Sequence, residues 1–332
     1  MKMSISISRA ILHILDTSLG VPVISENLMS FNEEMREYTE RHIKKCYNDA
    51  DLKKTQFTSQ NGSFFKLIKN YLNDDEFIKF SDDVSKFFFK IISENPDIKP
   101  CDLLFVQANV FNKDYMIILK LNYKKGYIHH TKQKESTKNI IIEQPCTLPA
   151  VTQKVDEFIF VNLNSLEVFV KEKKCQVYNE PCYYISRHLL ECKEEKPDKD
   201  KVAIITQTAE KIIKEYYSDD MFMKSQVKNI IKENVEDSLK IDLTKISEQF
   251  FKDEDVKKVY SEELKMKGVK EPEVKVNINF ANKIKSKQKI VTDEGVEFNI
   301  PYEILNNKDK VEFTTNADGT ISILFKNIDR VV

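Results

Sequence analysis

The chain has 332 residues, with 52 lysines and arginines against 53 aspartates and glutamates and a formal net charge of −1. A balance this even gives no overall cationic field toward nucleic acid or anionic lipid, which excludes a histone-like polycation and leaves local patches as the only charged contacts. Six glycines leave little material for a Gly-rich phosphate loop. Six cysteines without a C-x-x-C pair, and no run near ~20 apolar residues, exclude a disulfide scaffold and a membrane span.

The opening MKMSISISRAILHILD has no long apolar core and no small-residue cleavage site, so it is read as part of the fold and not as a signal peptide. Free thiols then fit a reducing, cytosolic compartment. Ser4 to Leu15 reads as a strand, and Val21 to Ser25 as its partner after a turn at Ser18–Gly20. Ser30 followed by Glu33 reads as a capping box opening a helix through Met35, Tyr38, His42, Ile43 and Cys46. Helices follow at Ser63–Leu72 and from about Ser81 to Ser93, where Val84, Phe87, Phe88 and Ile91 have helical spacing.

After Pro96 and Pro100 the pattern turns to strands. Asp102–Phe111 and Tyr115–Tyr123 are apolar runs around Asn112-Lys113-Asp114, a hairpin pattern. Further strands are expected at Asn139–Glu143 and Phe158–Asn162, and a short helix from Pro181 to Cys192. CKEEKPDKDK reads as a linker. Helices are then predicted at Val202–Tyr217, Met221–Leu239, Asp242–Phe251 and Asp255–Met266, until Pro272. From Val274 the period returns to two, and Asp318-Gly319 sits between Val311–Thr315 and Thr320–Phe325 as a hairpin turn. The expected class is α+β. An N-terminal mixed α/β domain with a mainly antiparallel sheet spans 1–192 and a charged linker 193–200. A helical segment spans 201–270 and a small β-rich C-terminal domain 271–332.

Two basic patches stand out on the neutral chain. Lys283, Lys285, Lys287 and Lys289 recur at period two. On a strand they would point one way over ~20 Å, a spacing suited to following phosphates or to guarding a sheet edge. The second patch gathers Lys120, Lys124, Lys125, His129, His130, Lys132 and Lys134 around Tyr123 and Tyr127, with Gly126 suggesting a turn in a loop. Phosphate contacts carry no base identity, so binding through such patches is sequence-tolerant.

Three other constellations carry residues that could do chemistry or bind a partner. Asp102 and Lys120 fill two places of a metal-nuclease core, but the acid two residues before the lysine is replaced by Ile118, leaving too few hard oxygen ligands. Cys175, Cys182, His188 and Cys192 lack the paired short spacing of a zinc knuckle, so no metal or cofactor is expected. Met221, Phe222, Met223, Val227, Ile230 and Ile231 form a helical apolar stripe that serves either a local core or a homodimer.

Several segments together resemble a known family. They are ISRAILHILD (Ile7–Asp16), CDLLFVQANV with YMIILKLNY (Cys101–Tyr123), LPAVTQKVDEFIFVN (Leu148–Asn162), CYYISRHLLEC, TDEGVEFNIPYEI and DGTISILFKNI, in that order. The chain resembles the bacterial nucleoid-associated protein family of the NdpA type nearly end to end. That resemblance implies a cytoplasmic, nucleoid-bound protein that binds double-stranded DNA, lacks an established catalytic activity and has, in some members, a link to type II topoisomerases. The expected site is therefore Lys283, Lys285, Lys287 and Lys289, helped by Lys124, Lys125, Lys132 and Lys134. The alternatives are an interaction module brought to the nucleoid by a partner such as a topoisomerase, and a cryptic metal-dependent nuclease.

Overall fold

A computed structural model of the chain describes residues 4–133, 137–218, 221–301, 304, 307, 309–316 and 319–328. Within its helices and strands the backbone alone is described at 132–133, 145–146, 221–222, 225, 236–237, 283–289, 299, 301, 315 and 321. The chain divides into two compact units, Met1–Pro197 and Asp198–Val332.

The first unit is built on β1 (Ile5–Leu15), α1 (Glu33–Tyr47), β2 (Lys53–Thr55), α2 (Ser63–Asp74), α3 (Phe77–Glu94), β3 (Cys101–Val110) and β4 (Lys113–Asn122). It continues with β5 (Lys124–Gln133), β6 (Thr137–Thr147), β7 (Glu157–Asn162), β8 (Val168–Lys171), β9 (Lys174–Val177) and β10 (Glu180–Tyr183). Six strands form one antiparallel sheet in the order β1-β3-β4-β7-β8-β2. Helices cover both faces. Leu103, Phe105, Met116 and Ile118 pack with Phe64, Val84 and Phe88 of α2 and α3. Leu104, Val106, Ile117 and Leu119 pack with Ile43 and Cys46 of α1. Burial on two faces removes the polar alternation a half-buried strand would show, which is why LLFV and YMIIL read as continuous apolar runs. Phe111 and Asn112, both with positive φ, close the β3–β4 hairpin.

Local chemistry moved several expected boundaries. Asn32, not Ser30, caps α1, its Oδ1 accepting from Met35 N at 2.7 Å. Val21–Ser25 contributes only a bridge between Ile14 and Val23. Pro181 lies in β10, not in a helix. The β9–β10 hairpin runs into a single π turn at Ile185–Leu189, closed by Leu190 N on Ile185 O at 2.8 Å. Within 193–200, Lys193 N bonds Gln56 O and Arg187 pairs with Glu194, while the next helix already begins at Asp198.

The second unit opens with α4 (Asp198–Tyr216), α5 (Met221–Ser238), β11 (Lys240–Asp242), α6 (Leu243–Phe250), α7 (Glu254–Met266) and β12 (Glu273–Lys275). It closes with α8 (Ile278–Ser286), β13 (Lys287–Val291), β14 (Glu297–Pro301), β15 (Val311–Thr315) and β16 (Ile321–Phe325). Asp242 and Asp253 cap α6 and α7 through their carboxylates. Val227 and Ile231 of the apolar stripe on α5 are buried, whereas Met223 and Ile230 are half-buried. β11 pairs with β12, β13 with β14 and β15 with β16. Asp318 of the expected turn lies outside the described residues. Among the described residues no helix is long and apolar enough to cross a membrane.

Candidate nucleic-acid interface

β5 and β6 pair only with each other among the described strands, as a ribbon of ten and eleven residues. The segment read as a loop is therefore a two-stranded arm, about 34 Å long at ~3.4 Å per residue. Gly126 is not its turn. It marks an irregularity in the register after Lys124, where a Cβ would stand 2.9 Å from Thr147 Cγ2. Glycine is the residue that lets the two strands approach this closely.

Both feet of the arm are fastened to the first unit. Tyr123, just before β5, donates its hydroxyl to Asp102 Oδ1 at 2.8 Å. Burial raises the Asp102 pKa, and the tyrosine bond opposes that rise. Past β6, Pro149 O accepts from Tyr38 OH at 2.9 Å and from His42 Nε2 at 3.3 Å, and Lys45 Nζ donates to Val151 O. A carbonyl only accepts, so the His42 proton sits on Nε2. Burial lowers the His42 pKa, which keeps the ring neutral. Sequence reading treated His42 as an ordinary helix residue.

The arm gathers charge that the rest of the chain balances. Its described residues carry Lys124, Lys125, Lys132, Lys138, His129 and His130 against Glu143 alone. Glu143 takes Lys125 Nζ at 3.1 Å. The register sets Lys132 opposite Lys138 and Tyr127 opposite Glu143. Tyr127 and Ile141, which share one face by this register, are 71% and 78% exposed, and Ile128 and Ile142 on the other face are 49% and 38% exposed, so both faces of the arm are open. Lys134 lies outside the described residues.

The lysine comb does not form as expected. Lys283 and Lys285 belong to α8, and only Lys287 and Lys289 to β13. The four therefore do not share one strand. Phe280 and Ala281 are buried in α8, and with Ile284 they have helical spacing, a signal masked by the alternating lysines.

The nuclease and zinc geometries are absent as well. Asp102 pairs in register with Leu121, Lys120 with Leu103, so the two residues face opposite sides of the sheet. Lys120 instead meets Glu157 Oε2 at 2.7 Å and Asn122 Oδ1 at 2.7 Å, and Tyr184 OH donates to the same glutamate oxygen at 3.1 Å. Burial works to lower the Lys120 pKa, but the Glu157 carboxylate outweighs it and the net shift is upward. Cys175 and Cys182 face each other across β9 and β10, whereas His188 packs on Tyr178 and Cys192 bridges to Phe57. Among the described residues no group of three or more His, Cys, Asp or Glu side chains is arranged for a metal ion.

The sequence model of the family described as nucleoid-associated protein YejK matches residues 11–331. The chain belongs to this family. Membership in the YejK family makes it a nucleoid-associated protein and agrees with the resemblance read from its segments. No curated protein matches it.

Proposed function

We propose that this YejK-family protein binds double-stranded DNA directly and with little sequence preference, using the β5–β6 arm as its principal contact. The supporting observation is the concentration of unbalanced cations on an exposed two-stranded ribbon of a chain whose net charge is −1. A major groove ~12 Å wide admits a two-stranded ribbon, and an arm of about 34 Å spans about one helical turn. Lys124, Lys125 and Lys132, with Lys134 by sequence, neutralise phosphates along it. Lys287 and Lys289 of β13, with Lys283 and Lys285 of α8, supply a second, smaller patch. The role is non-catalytic and needs no cofactor. Lys→Ala replacement at 124, 125, 132 and 134 tests it in a salt series of DNA affinity.

A second reading is recruitment by a protein partner, for which the resemblance suggests a type II topoisomerase. It is favoured by exposed Tyr127, Ile128, Ile141 and Ile142, which phosphate binding does not use. Retention on a topoisomerase column without salt-sensitive DNA binding is the outcome that selects it.

A further inference from the structure

The second unit holds a cleft of about 410 Å³ lined by α6, α7 and the segment that leads from α7 to β12. That volume is in the range of small-molecule sites. Helical spacing builds two of its walls. On α7, Tyr260 and Leu264 are buried one turn apart, and Ser261 and Lys265 follow each of them by one residue at the rim. On α6, Leu243 is buried, with Thr244 and Ser247 beside it. The third wall is tied at both ends. Val269 N donates to Leu264 O at 2.8 Å, and Leu243 N donates to Pro272 O at 2.9 Å. Gly268, with a φ of 86°, makes the left-handed turn that ends α7. The cleft is therefore built into the fold.

Its lining is apolar at depth with one exception. Tyr260 is 1% exposed, and its Oη has no hydrogen-bond partner among the described residues. Buried polar groups are nearly always partnered, so a lone hydroxyl on a residue that lines a cleft points to an acceptor supplied from outside the chain. Burial raises the Tyr260 pKa, so the hydroxyl keeps its proton and donates. The charge of the rim is positive, with Lys265 and Lys270 against Glu271. The neighbouring Lys257 and Lys267 are tied to Glu254 and Glu263. Another cleft, of about 550 Å³ in the first unit, has the opposite balance: Glu26, Asp75, Glu76 and Asp82 against Arg9 and Lys79.

We propose that the α6–α7 cleft binds a small organic acid, whose carboxylate meets Lys265 and Lys270, whose apolar body lies on Leu243, Leu264 and Val269, and whose carbonyl oxygen accepts from Tyr260 Oη. The test is an NMR titration of the full chain with para-acetylbenzoate, which carries a carboxylate, a ring and a carbonyl. The comparison probes are para-acetylbenzamide, which lacks the charge, and benzoate, which lacks the carbonyl. The wild type is expected to bind para-acetylbenzoate about tenfold more tightly than either. Tyr260→Phe removes a hydroxyl without a partner, so the variant keeps its fold and melts no lower than the wild type. It is expected to lose about tenfold in affinity for para-acetylbenzoate and nothing for benzoate. Lys265→Ala with Lys270→Ala, both exposed positions, is expected to bring the acid and the amide to the same affinity. A wild type that does not bind para-acetylbenzoate overturns the proposal. So does a Tyr260→Phe variant that binds it as tightly as the wild type, or a double-lysine variant that still prefers the acid. The titration contains no DNA, so its result is separate from that of the nucleic-acid reading.

Discussion

Lys120 Nζ and Glu157 Oε2 stand 2.7 Å apart across paired positions of β4 and β7, with both side chains at most 4% exposed. The pair joins the central sheet to the π turn through Tyr184, whose ring stacks on Phe88. Removing one partner strands a buried charge, which typically costs about 3–5 kcal/mol. Lys120→Met is expected to destabilise the first unit by that amount in urea unfolding. Lys120→Met with Glu157→Gln recovers much of it, because the amide is neutral and still accepts from Tyr184. DNA affinity of folded protein is unchanged in both. The same pair sets an alkaline limit. The Lys120 pKa is raised on folding, so its contribution is complete below the unfolded lysine value of about 10.4 and is lost as pH climbs through the higher folded value.

His13 sets an acid limit by the opposite sign. Ser25 N donates to its Nδ1 at 3.0 Å, so its Nε2 carries the proton and donates to Ser81 Oγ at 2.9 Å. Burial lowers its pKa to about 4 from 6.5, with Asp82 opposing. The unfolded chain binds the extra proton between those values, so stability falls as pH drops from 6.5 toward 4, by roughly 3 kcal/mol at ~1.4 per unit. Thermal melts over this range are expected to show that loss in the wild type and a reduced loss in His13→Gln, which has no ring to titrate.

The arm's first foot depends on Gly126 and Tyr123. Gly126→Val places a side chain against Thr147, whose hydroxyl is already engaged with Lys124 O at 2.9 Å. Hydrogen exchange is expected to quicken across 127–133 and 137–144 while the protected β3–β4 core keeps its rates. Tyr123→Phe removes the bond to Asp102 and is expected to give the same pattern more weakly, a loss of about 1 kcal/mol.

The sheet and most helices were legible because long apolar periodicities survive on single elements. Val84, Phe88 and Ile91 announce α3, and Asn112-Lys113-Asp114 announces the β3–β4 turn. What was not legible depends on distant partners. Nothing near Lys120 in sequence points to Glu157, 37 residues on, or near Lys53 to Glu172, 119 residues on. The arm was missed because Gly126 reads as a turn where it serves close strand approach. The lysine row was misread because its own period of two overrode the helical spacing of Phe280, Ala281 and Ile284.

Splitting that row gives an ordering of effects. Alanine at Lys287 and Lys289 is expected to reduce the salt slope of DNA binding by up to ~1.8, at ~0.9 per phosphate. Adding Lys283→Ala and Lys285→Ala is expected to change it by at most one further contact, because those two lie on α8 and not on the strand. A slope change of ~3.6 from the four together would instead mean that they act as one row.

The most direct test of the central claim is double-stranded DNA affinity across a salt series for the wild type and for the Lys→Ala variant at 124, 125, 132 and 134. The expected result is a linear dependence of log K on log salt whose slope becomes shallower by ~3.6 in the variant, with no difference between DNA sequences. An unchanged slope and affinity in a folded variant would contradict the arm as the DNA contact.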